Sequence, residues 1–168
     1  IATSTEGSCP IKNRKIKYLG QSIKPEIFLQ KHEVENYSKK KFVHIGRMDK
    51  SKNIRLLIET VNVFRSTHPE ITLNLIGNSS SNENKKYIDE LRVRWQESIN
   101  DGWLQFTEAV PRADVPDILR NNDVFLHAFV GSLDKSLLEA TLAMLPVVTI
   151  NSEYHKQIGK WSDNSANL

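Results

Sequence analysis

The fold of this chain is constrained most by residues 127–149, which read HAFVGSLDKSLLEATLAMLPVVT. Two short apolar runs, at 124–129 and 147–150, have the length and the β-branched or aromatic content of buried strands. Between them, leucines recur at helical spacing, at Leu137, Leu138, Leu142 and Leu145. The stretch therefore predicts a strand, a polar turn, a crossover helix and a second strand.

The turn of this unit, at Gly131 and Ser132, is a candidate ligand site. A right-handed strand-helix-strand unit puts such a turn at the carboxyl end of its strand, where the free amides of the helix favour a phosphate. Glu139 lies about one and a half turns into the helix, from where its carboxylate can reach a ligand hydroxyl. Alternatively, Glu139 is an ordinary solvated residue of the helix. This stretch alone does not decide between ligand binding and solvation.

The chain before this unit repeats the alternation of strands and helices. Apolar runs at 42–45, 71–76 and 103–106 predict three further buried strands. A long helix follows each of the first two, and a short helix at 114–120 precedes the strand at 124–129. Strands and helices that alternate in this way predict an α/β fold with a Rossmann-like, doubly wound parallel sheet.

The two long helices are predicted from their apolar faces. The first face consists of Ile54, Leu57, Ile58, Val61 and Phe64. The second face, on one continuous helix, consists of Tyr87, Ile88, Leu91, Trp95 and Ile99.

In a parallel sheet of this kind the loops that follow the strands emerge at one edge, where ligands bind. These loops carry Gly46, Arg47, Lys52, Gly77, Asn78, Glu108, Arg112, Gly131, Ser132, Asp134 and Lys135. Arginine offers a bidentate fork, lysine a point charge, and glycine lets the backbone approach a ligand, so the edge is predicted to hold a diphosphate. No G-x-G-x-x-G follows the first strand and no G-x-x-x-x-G-K-[ST] occurs, which disfavours a dinucleotide oxidoreductase and a P-loop phosphohydrolase.

Composition bounds the class of protein. With 168 residues, 39% of them hydrophobic, the chain is long enough for one well-packed domain. Its 23 Lys and Arg against 20 Asp and Glu suit a polyanionic ligand or an anionic membrane surface, without the interleaved aromatic and basic pattern of a nucleic-acid binder. No apolar run approaches the roughly 18 residues of a membrane span, and the amino terminus does not read as an export leader. A cytoplasmic protein is therefore predicted, with a peripheral membrane contact left open.

Neither a metal ion nor a disulfide is expected from the sequence. His127 and His155 are isolated, with no Asp or Cys at metal-ligand spacing, so each is interpreted as structural. Cys9 is the single cysteine and cannot form an internal disulfide.

Four blocks of the sequence resemble one known family. They are VHIGRMDKSKNIRLLIETV, LNLIGNSS, LQFTEAVPRADVPDILRNNDVFLHAF and SLLEATLAMLPVVT, in register over residues 41–151. Together they resemble the carboxyl-terminal nucleotide-sugar domain of retaining GT-B glycosyltransferases of family 4, the glycosyl transferases group 1. The resemblance implies one half of a GT-B fold, with residues 1–40 as an interdomain lead-in and 41–168 as the nucleotide-sugar-binding domain, truncated at both ends.

By this resemblance, Arg47 and Lys52 hold the donor diphosphate and stabilise the charge that grows on it as the sugar departs. Glu139 binds the nucleotide ribose, and the loop at 107–110 borders the base. The other residues implied in donor binding are Gly46, Gly77, Asn78, Val110, Gly131, Ser132, Leu133, Asp134 and Lys135. No metal, and no cofactor beyond the nucleoside-diphosphate sugar as substrate, is implied.

The chain departs from the family pattern at Gly131. The family's Glu-x7-Glu pattern has its first glutamate at this position, where members commonly direct it at the donor sugar, and Glu139 is the second. Asp134 can supply a displaced carboxylate, or it can cap the helix that follows. Both interpretations of Asp134 stay open here.

The function that the resemblance implies is transfer of a sugar, of hexosyl type, from a nucleoside-diphosphate sugar to a glycan, lipid or other acceptor, with retention at the anomeric carbon. Such a reaction would serve polysaccharide biosynthesis. An amino-terminal acceptor-binding domain is the expected missing partner, so the chain alone is expected to bind nucleotide without turnover. Two alternatives stay open: another GT-B enzyme, such as a nucleotide-sugar epimerase or a phosphorylase, and a non-catalytic module that binds nucleotide sugars.

Overall fold

The structure, a computed structural model, describes residues 2–4, 9, 11–29 and 40–165. Two very short strands, β1 (Ala2–Thr3) and β2 (Lys17–Tyr18), form a separate parallel pair. The main sheet has five parallel strands, which are β3 (Lys41–Ile45), β4 (Thr72–Ile76), β5 (Leu104–Thr107), β6 (Val124–His127) and β7 (Val147–Thr149). All five were expected from the apolar runs of the sequence.

Within the described residues, six α-helices accompany the strands. They are α1 (Ile54–Arg65), α2 (Asn82–Arg94), α3 (Gln96–Asn100), α4 (Val115–Arg120), α5 (Lys135–Leu142) and α6 (Ser152–Ser165). Single 3₁₀ turns occur at Pro25–Ile27, Lys50–Lys52 and Arg112–Asp114. The longest of these helices, α6, has 14 residues, fewer than a helix needs to span a bilayer.

Across the main sheet the strands run in the order β5-β4-β3-β6-β7. The chain therefore moves outward from β3 to β5 and then returns to the other side of β3 for β6 and β7. This reversal is the switch point at which open α/β sheets bind ligands. Backbone pairing between β3 and β6 extends over only two residues of each strand, after which His44 Nδ1 bonds the Leu126 carbonyl oxygen at 2.9 Å.

Apolar side chains bury both faces of the sheet. The cluster beneath α1 and α2 includes Ile54, Leu57, Ile58, Val61, Leu73, Leu75, Ile88 and Leu91. The cluster on the opposite face includes Val43, Ile76, Val115, Leu119, Phe125, Leu137 and Ala140. Successive residues of a strand point to opposite faces, so Phe125 joins the second cluster and Leu126 the first. This two-sided burial confirms the doubly wound parallel sheet.

Part of the predicted lead-in packs on this domain. Phe28 is 1% exposed and belongs to the second core cluster. Gln21 Nε2 donates to the Leu133 carbonyl oxygen at 3.1 Å. The boundary at residue 40 stays a prediction, because residues 30–39 lie outside the described part of the chain. Residues 1, 5–8, 10 and 166–168 of the two predicted segments also lie outside it.

Two predictions about the helices are wrong. Phe64 is 52% exposed and stacks on His68 at 5.3 Å, because it lies at the edge of the α1 stripe centred on Ile58 and Val61. The predicted continuous second helix is two helices, since the φ of −108° and ψ of 25° at Trp95 interrupt it.

The structure also adds or shifts elements near the candidate site. β5 lies one residue later than the predicted strand at 103–106, and β6 ends at His127, two residues before the predicted end. A helix also follows β7, which the sequence analysis did not name: α6 places Tyr154 and Ile158, one helical turn apart, on the second core cluster.

Candidate functional site

The carboxyl ends of β3 and β4 meet closely at two glycines. Gly46 N–H donates to the Ile76 carbonyl oxygen at 3.0 Å, and Gly77 N–H donates to the Thr107 carbonyl oxygen at 2.9 Å. Gly77 has a φ of +149°, and a Cβ at this position would lie 1.8 Å from the Gly46 carbonyl oxygen. Glycine is therefore required at position 77 for the loops after β3 and β4 to approach one another.

An apolar cleft of about 260 Å³ opens beside these glycines. It is lined by Ile45, Gly46, Arg47, Ile76, Gly77, Asn78, Ala109, Val110 and Val115. Asn78 Oδ1 accepts a hydrogen bond from Ala109 N–H at 3.0 Å, which ties the loop after β4 to the loop after β5. The structure thus brings together four residues predicted at this edge, Gly46, Arg47, Gly77 and Asn78. Val110, which only the family resemblance implies in donor binding, lines the same cleft.

Arg47 extends from the rim of this cleft into solvent. Its side chain is 64% exposed, and Nη1 lies 3.4 Å from Oδ2 of Asp49. Asp49 itself is buried and held in place by Ser80, whose N–H and Oγ donate to Oδ1 at 3.0 Å and 2.9 Å. Because the guanidinium is exposed, its ion pair is weak, and Arg47 can turn toward an incoming anion at little cost.

Lys52, by contrast, is enclosed. Its side chain is 4% exposed, and its ammonium forms an ion pair with Asp134. The Nζ atom also lies 3.8 Å from the centroid of the Phe129 ring. The sequence led us to expect an accessible cation, whereas the fold buries it against a carboxylate from the far side of the switch point. A buried ammonium without such a partner would be strongly destabilising.

Asp134 links this lysine to a histidine. Its Oδ2 atom also accepts a hydrogen bond from His127 Nε2 at 3.0 Å. Burial by itself would raise the pKa of Asp134, but the hydrogen bonds from His127 and Lys52 lower it to about 2. Asp134 stands at the N-cap position of α5 but its side chain bonds no helix amide. The interpretation of Asp134 as a side-chain helix cap is therefore wrong.

His127 is not the isolated residue that its place in the sequence suggests. Its side chain is fully buried, and Nδ1 lies 3.1 Å from the hydroxyl of Thr149, its register partner on β7. The two ring nitrogens thus connect Thr149 to Asp134. His155 bonds the Thr149 carbonyl oxygen through Nε2 at 3.1 Å, which fits its structural interpretation.

Glu139 is buried and paired. Its side chain is 3% exposed and forms an ion pair with Arg112, whose own side chain is 57% exposed. The interpretation of Glu139 as an ordinary solvated residue is therefore wrong. The sequence places Arg112 at the same edge of the sheet but gives no sign that it pairs with Glu139, because Arg112 follows β5 whereas Glu139 lies in α5, after β6.

The turn that carries Gly131 and Ser132 is held by a residue that the sequence analysis missed. The Nδ2 atom of Asn151 lies within hydrogen-bond distance of the carbonyl oxygens of Phe129, Gly131 and Ser132, at 2.9, 3.2 and 3.2 Å. Asn151 is fully buried. Its position two residues after β7 was the available signal, because that position lies at the same edge of the sheet.

The remaining residues predicted near α5 have different surroundings. Leu133 is buried in the second core cluster, so only its backbone can serve a ligand. Ser132 is half-buried, and Lys135 is exposed at the first residue of α5. The structure thus places all of residues 131–135 at the switch point, but their side chains differ in how far they are exposed.

A second cavity, of about 470 Å³, lies on the other side of Gly77 and Asn78. Its lining includes the amino-terminal residues of α2, together with Phe106 and Glu108. Arg92 lies over the Phe106 ring at 5.1 Å. Within the ranges that the structure describes, no group of three or more His, Cys, Asp or Glu side chains is placed to hold a metal ion.

The sequence model of one family, described as glycosyl transferases group 1, matches residues 39–162. The chain belongs to this family. The match includes every strand of the main sheet and each of the residues discussed above at its carboxyl edge.

One characterised protein and several solved structures are similar to this chain. The chain is 25% identical over 136 residues to spore coat protein SA of Bacillus subtilis (strain 168), covering 79% of this chain and 35% of that protein. It superimposes on Anabaena Alr3699/HepE, crystallised with UDP and glucose, with a TM-score of 0.68 at 17% identity, covering 84% of this chain and 40% of HepE. The carboxyl-terminal domain of Francisella tularensis LpcC, a glycosyl transferase group 1 family protein, gives a TM-score of 0.63 at 17% identity. The match covers 76% of this chain and 70% of the LpcC domain.

These likenesses confirm that this group 1 chain has the Rossmann-like architecture of one half of a GT-B fold. The chain spans about a third of the length of spore coat protein SA and 40% of that of HepE. The activity, substrates and partners of a whole group 1 enzyme are therefore proposals for this chain.

Proposed function

We propose that this chain is the donor-binding domain of a retaining glycosyltransferase that transfers a hexosyl group from a nucleoside-diphosphate sugar. The observation that supports this most is that the apolar cleft and the charged groups of the switch point lie along one edge of the sheet. Gly46 and Arg47 line the cleft, and Lys52, Asp134 and Glu139 follow on the same edge of the sheet. A nucleoside-diphosphate sugar has a flat apolar base at one end, followed by the charged diphosphate and the sugar. Its parts therefore match the order of the apolar cleft and the charged groups along this edge.

In this proposal the base enters the cleft beside Val110, and Glu139 accepts a hydrogen bond from the ribose. The diphosphate lies over the backbone of Gly46, where Arg47 and Lys52 neutralise it. These cations matter most as the glycosidic bond breaks, because the negative charge on the leaving diphosphate grows at that step. The amides at the start of α5 add a fixed positive potential.

We further propose that a separate acceptor-binding domain completes the enzyme and that the acceptor is a glycan or a lipid. Support comes from the coverage of HepE, of which the chain spans 40%. The structures of HepE with UDP, and with UDP and glucose, make UDP the first nucleotide to test. A role in polysaccharide biosynthesis and a cytoplasmic location stay predictions of the same kind.

A second candidate is a non-catalytic module that binds nucleotide sugars. Two observations favour it: position 131 is a glycine without a carboxylate, and Lys52 is enclosed by Asp134 and Phe129. Such a module would bind the nucleotide, but the attached sugar would add no affinity.

The test is a thermal-shift panel on the 168-residue chain with UDP, GDP and ADP and their sugar conjugates. A ligand at about 100 times its dissociation constant should stabilise the fold by roughly 2.7 kcal/mol, a shift of about 5–10 °C for a domain of this size. Arg47→Ala and Lys52→Ala should abolish this shift. Lys50→Ala, which removes an exposed lysine paired with Glu83, should retain it.

The outcome separates the two candidates. A shift that is larger with the sugar conjugate than with the free nucleotide supports a donor site, whereas equal shifts support the non-catalytic module. If no nucleotide stabilises the chain, the proposal is wrong for this chain. Turnover is checked separately by release of free sugar or of a glycosylated acceptor.

A further inference from the structure

Lys52 cannot meet a diphosphate in the arrangement that the structure shows. Its side chain is 4% exposed, with the Phe129 ring on one side and the Asp134 carboxylate on another. A phosphate oxygen that is to reach Nζ must first displace one of these two groups.

Phe129 is fixed more firmly than Asp134. Its ring lies so close to the chain that a Cβ at Gly131 would be 2.1 Å from Cζ, and its carbonyl oxygen is bonded by the buried Asn151. The backbone of Phe129 is therefore held in place, and its ring also packs edge-on against the buried His127, at 6.3 Å between ring centroids. The displaceable group is Asp134, whose side chain is 29% exposed and belongs to the turn before α5.

The bonds of Asp134 allow this displacement. Both Lys52 and His127 bond Oδ2, and among the described residues Oδ1 has no hydrogen-bond partner. If Lys52 moves to a phosphate, His127 still bonds the carboxylate, so Asp134 is not left buried and unpaired. Breaking a buried ion pair is strongly destabilising because it leaves a buried charge uncompensated, and the hydrogen bond from His127 lessens that cost for Asp134.

Two further cations of the site differ from Lys52 in this respect. Arg47 and Arg112 are paired with Asp49 and Glu139, but their side chains are 64% and 57% exposed, so either guanidinium can reach an anion from its present place. Competition between a protein carboxylate and a ligand phosphate is therefore concentrated at Lys52.

We propose that Asp134 is the internal counterion of Lys52 and that a nucleoside diphosphate must displace it, so that Asp134 sets the affinity of the site. Asp134 acts through Lys52 and is a positioning residue. This inference rests on the proposed function, because it assumes that a diphosphate binds at this edge.

The test compares the dissociation constant of UDP for the wild-type chain and for Asp134→Asn by titration calorimetry at low salt. The amide keeps the size of the carboxylate and can still accept from His127, but it no longer neutralises Lys52. We expect Asp134→Asn to bind UDP about tenfold more tightly, which corresponds to about 1.4 kcal/mol. Structural damage at the site would weaken binding, so a gain in affinity separates the two explanations. Glu83→Gln, which removes an exposed carboxylate from Lys50, should leave the affinity unchanged.

A measurement on the wild-type chain covers the case in which Asp134→Asn does not fold. Carbodiimide-driven labelling of carboxylates, read by mass spectrometry, should increase at Asp134 when UDP is added and stay constant at Glu83. Unchanged or weaker UDP binding by a folded Asp134→Asn, or unchanged labelling of Asp134 in the presence of bound UDP, overturns the inference while the proposed function stands. If UDP, GDP and ADP bind neither protein, the proposed function fails and this inference fails with it.

Discussion

The ring of Phe129 occupies the space in which a side chain at Gly131 would begin. A Cβ built on Gly131 would lie 2.1 Å from Cζ of Phe129 and 2.6 Å from Cε2. The same ring lies 3.8 Å from the ammonium of Lys52. The glycine that departs from the family pattern thus makes room for the aromatic ring that encloses the lysine.

The first prediction concerns this packing. Gly131→Ala should lower the free energy of unfolding by about 1–3 kcal/mol, because the added methyl group overpacks the ring. Phe129→Leu in the same chain should recover part of the loss, and Ser132→Ala should change little. Urea unfolding measures all four proteins. Equal stability of Gly131→Ala and wild type would show that the turn has another conformation.

The second prediction concerns the contact between the loops after β3 and β4. Gly77→Ala should destabilise the chain by about 3 kcal/mol or more, because its Cβ meets the rigid backbone of Gly46. Gly102→Ala is the matched control: Gly102 has a φ of +79° but no heavy atom within 4 Å of a Cβ. Its free energy of unfolding should fall by only roughly 1–2 kcal/mol, which is the cost of left-handed backbone strain. Similar losses for the two variants in thermal unfolding would contradict the close approach.

The third prediction concerns the ion pair of Arg112 with Glu139. Arg112→Met should lower stability by about 1–2 kcal/mol, because it leaves a buried carboxylate without its partner, although Arg112 is half exposed. Adding Glu139→Gln to this variant should recover part of the lost stability, since the remaining buried group is then neutral. Lys50→Met should have little effect, because its partner Glu83 is exposed. A double-mutant cycle in urea checks this, and strictly additive losses would exclude the pairing.

The fourth prediction concerns His44 and pH. Burial lowers the pKa of His44 from 6.5 to about 4, although the hydrogen bond to the Leu126 carbonyl oxygen works in the opposite direction. The unfolded chain therefore binds a proton near pH 6.5, while the folded chain does so only near pH 4. Stability is fully present above pH 6.5 and should fall by about 3 kcal/mol between pH 6.5 and 4.

His44→Asn tests the origin of that loss, since its amide nitrogen replaces Nδ1 and does not titrate. Its stability should be flatter across this window in unfolding experiments at several pH values. The loss that comes from Asp134 is separate, because the pKa of that carboxyl is about 2 in the folded chain, against an ordinary value of 3.8. That loss should begin only below about pH 4. An unchanged slope in His44→Asn would assign the acid sensitivity to other groups.

The candidate site shows where sequence reasoning succeeds. Gly46, Arg47, Gly77 and Asn78 were placed at one edge, and the structure has them on one cleft with Val110. The reason is topological: once strands are parallel, the loops at their carboxyl ends share an edge whatever the details of packing. The positions of these residues directly after predicted strands were therefore enough to place them at one edge.

Pairing across the edge was not predictable in the same way. Nothing in the local pattern connects Lys52 with Asp134, or Arg112 with Glu139, because each pair joins segments that follow different strands. Whether a charged side chain is exposed or enclosed depends on what packs over it, as the contrast between Arg47 and Lys52 shows. His127 and Asn151 were missed as organising residues for the same reason.

Hydrophobic periodicity and chain order were sufficient to predict the alternation of strands and helices and the set of loops that form the edge. The resemblance of four sequence blocks indicated the family. Which charges neutralise one another, and which remain open to a ligand, became evident only in the folded chain. Ion pairing depends on distances of a few ångströms between residues far apart in the chain, and those distances are fixed when the two sides of the sheet pack together.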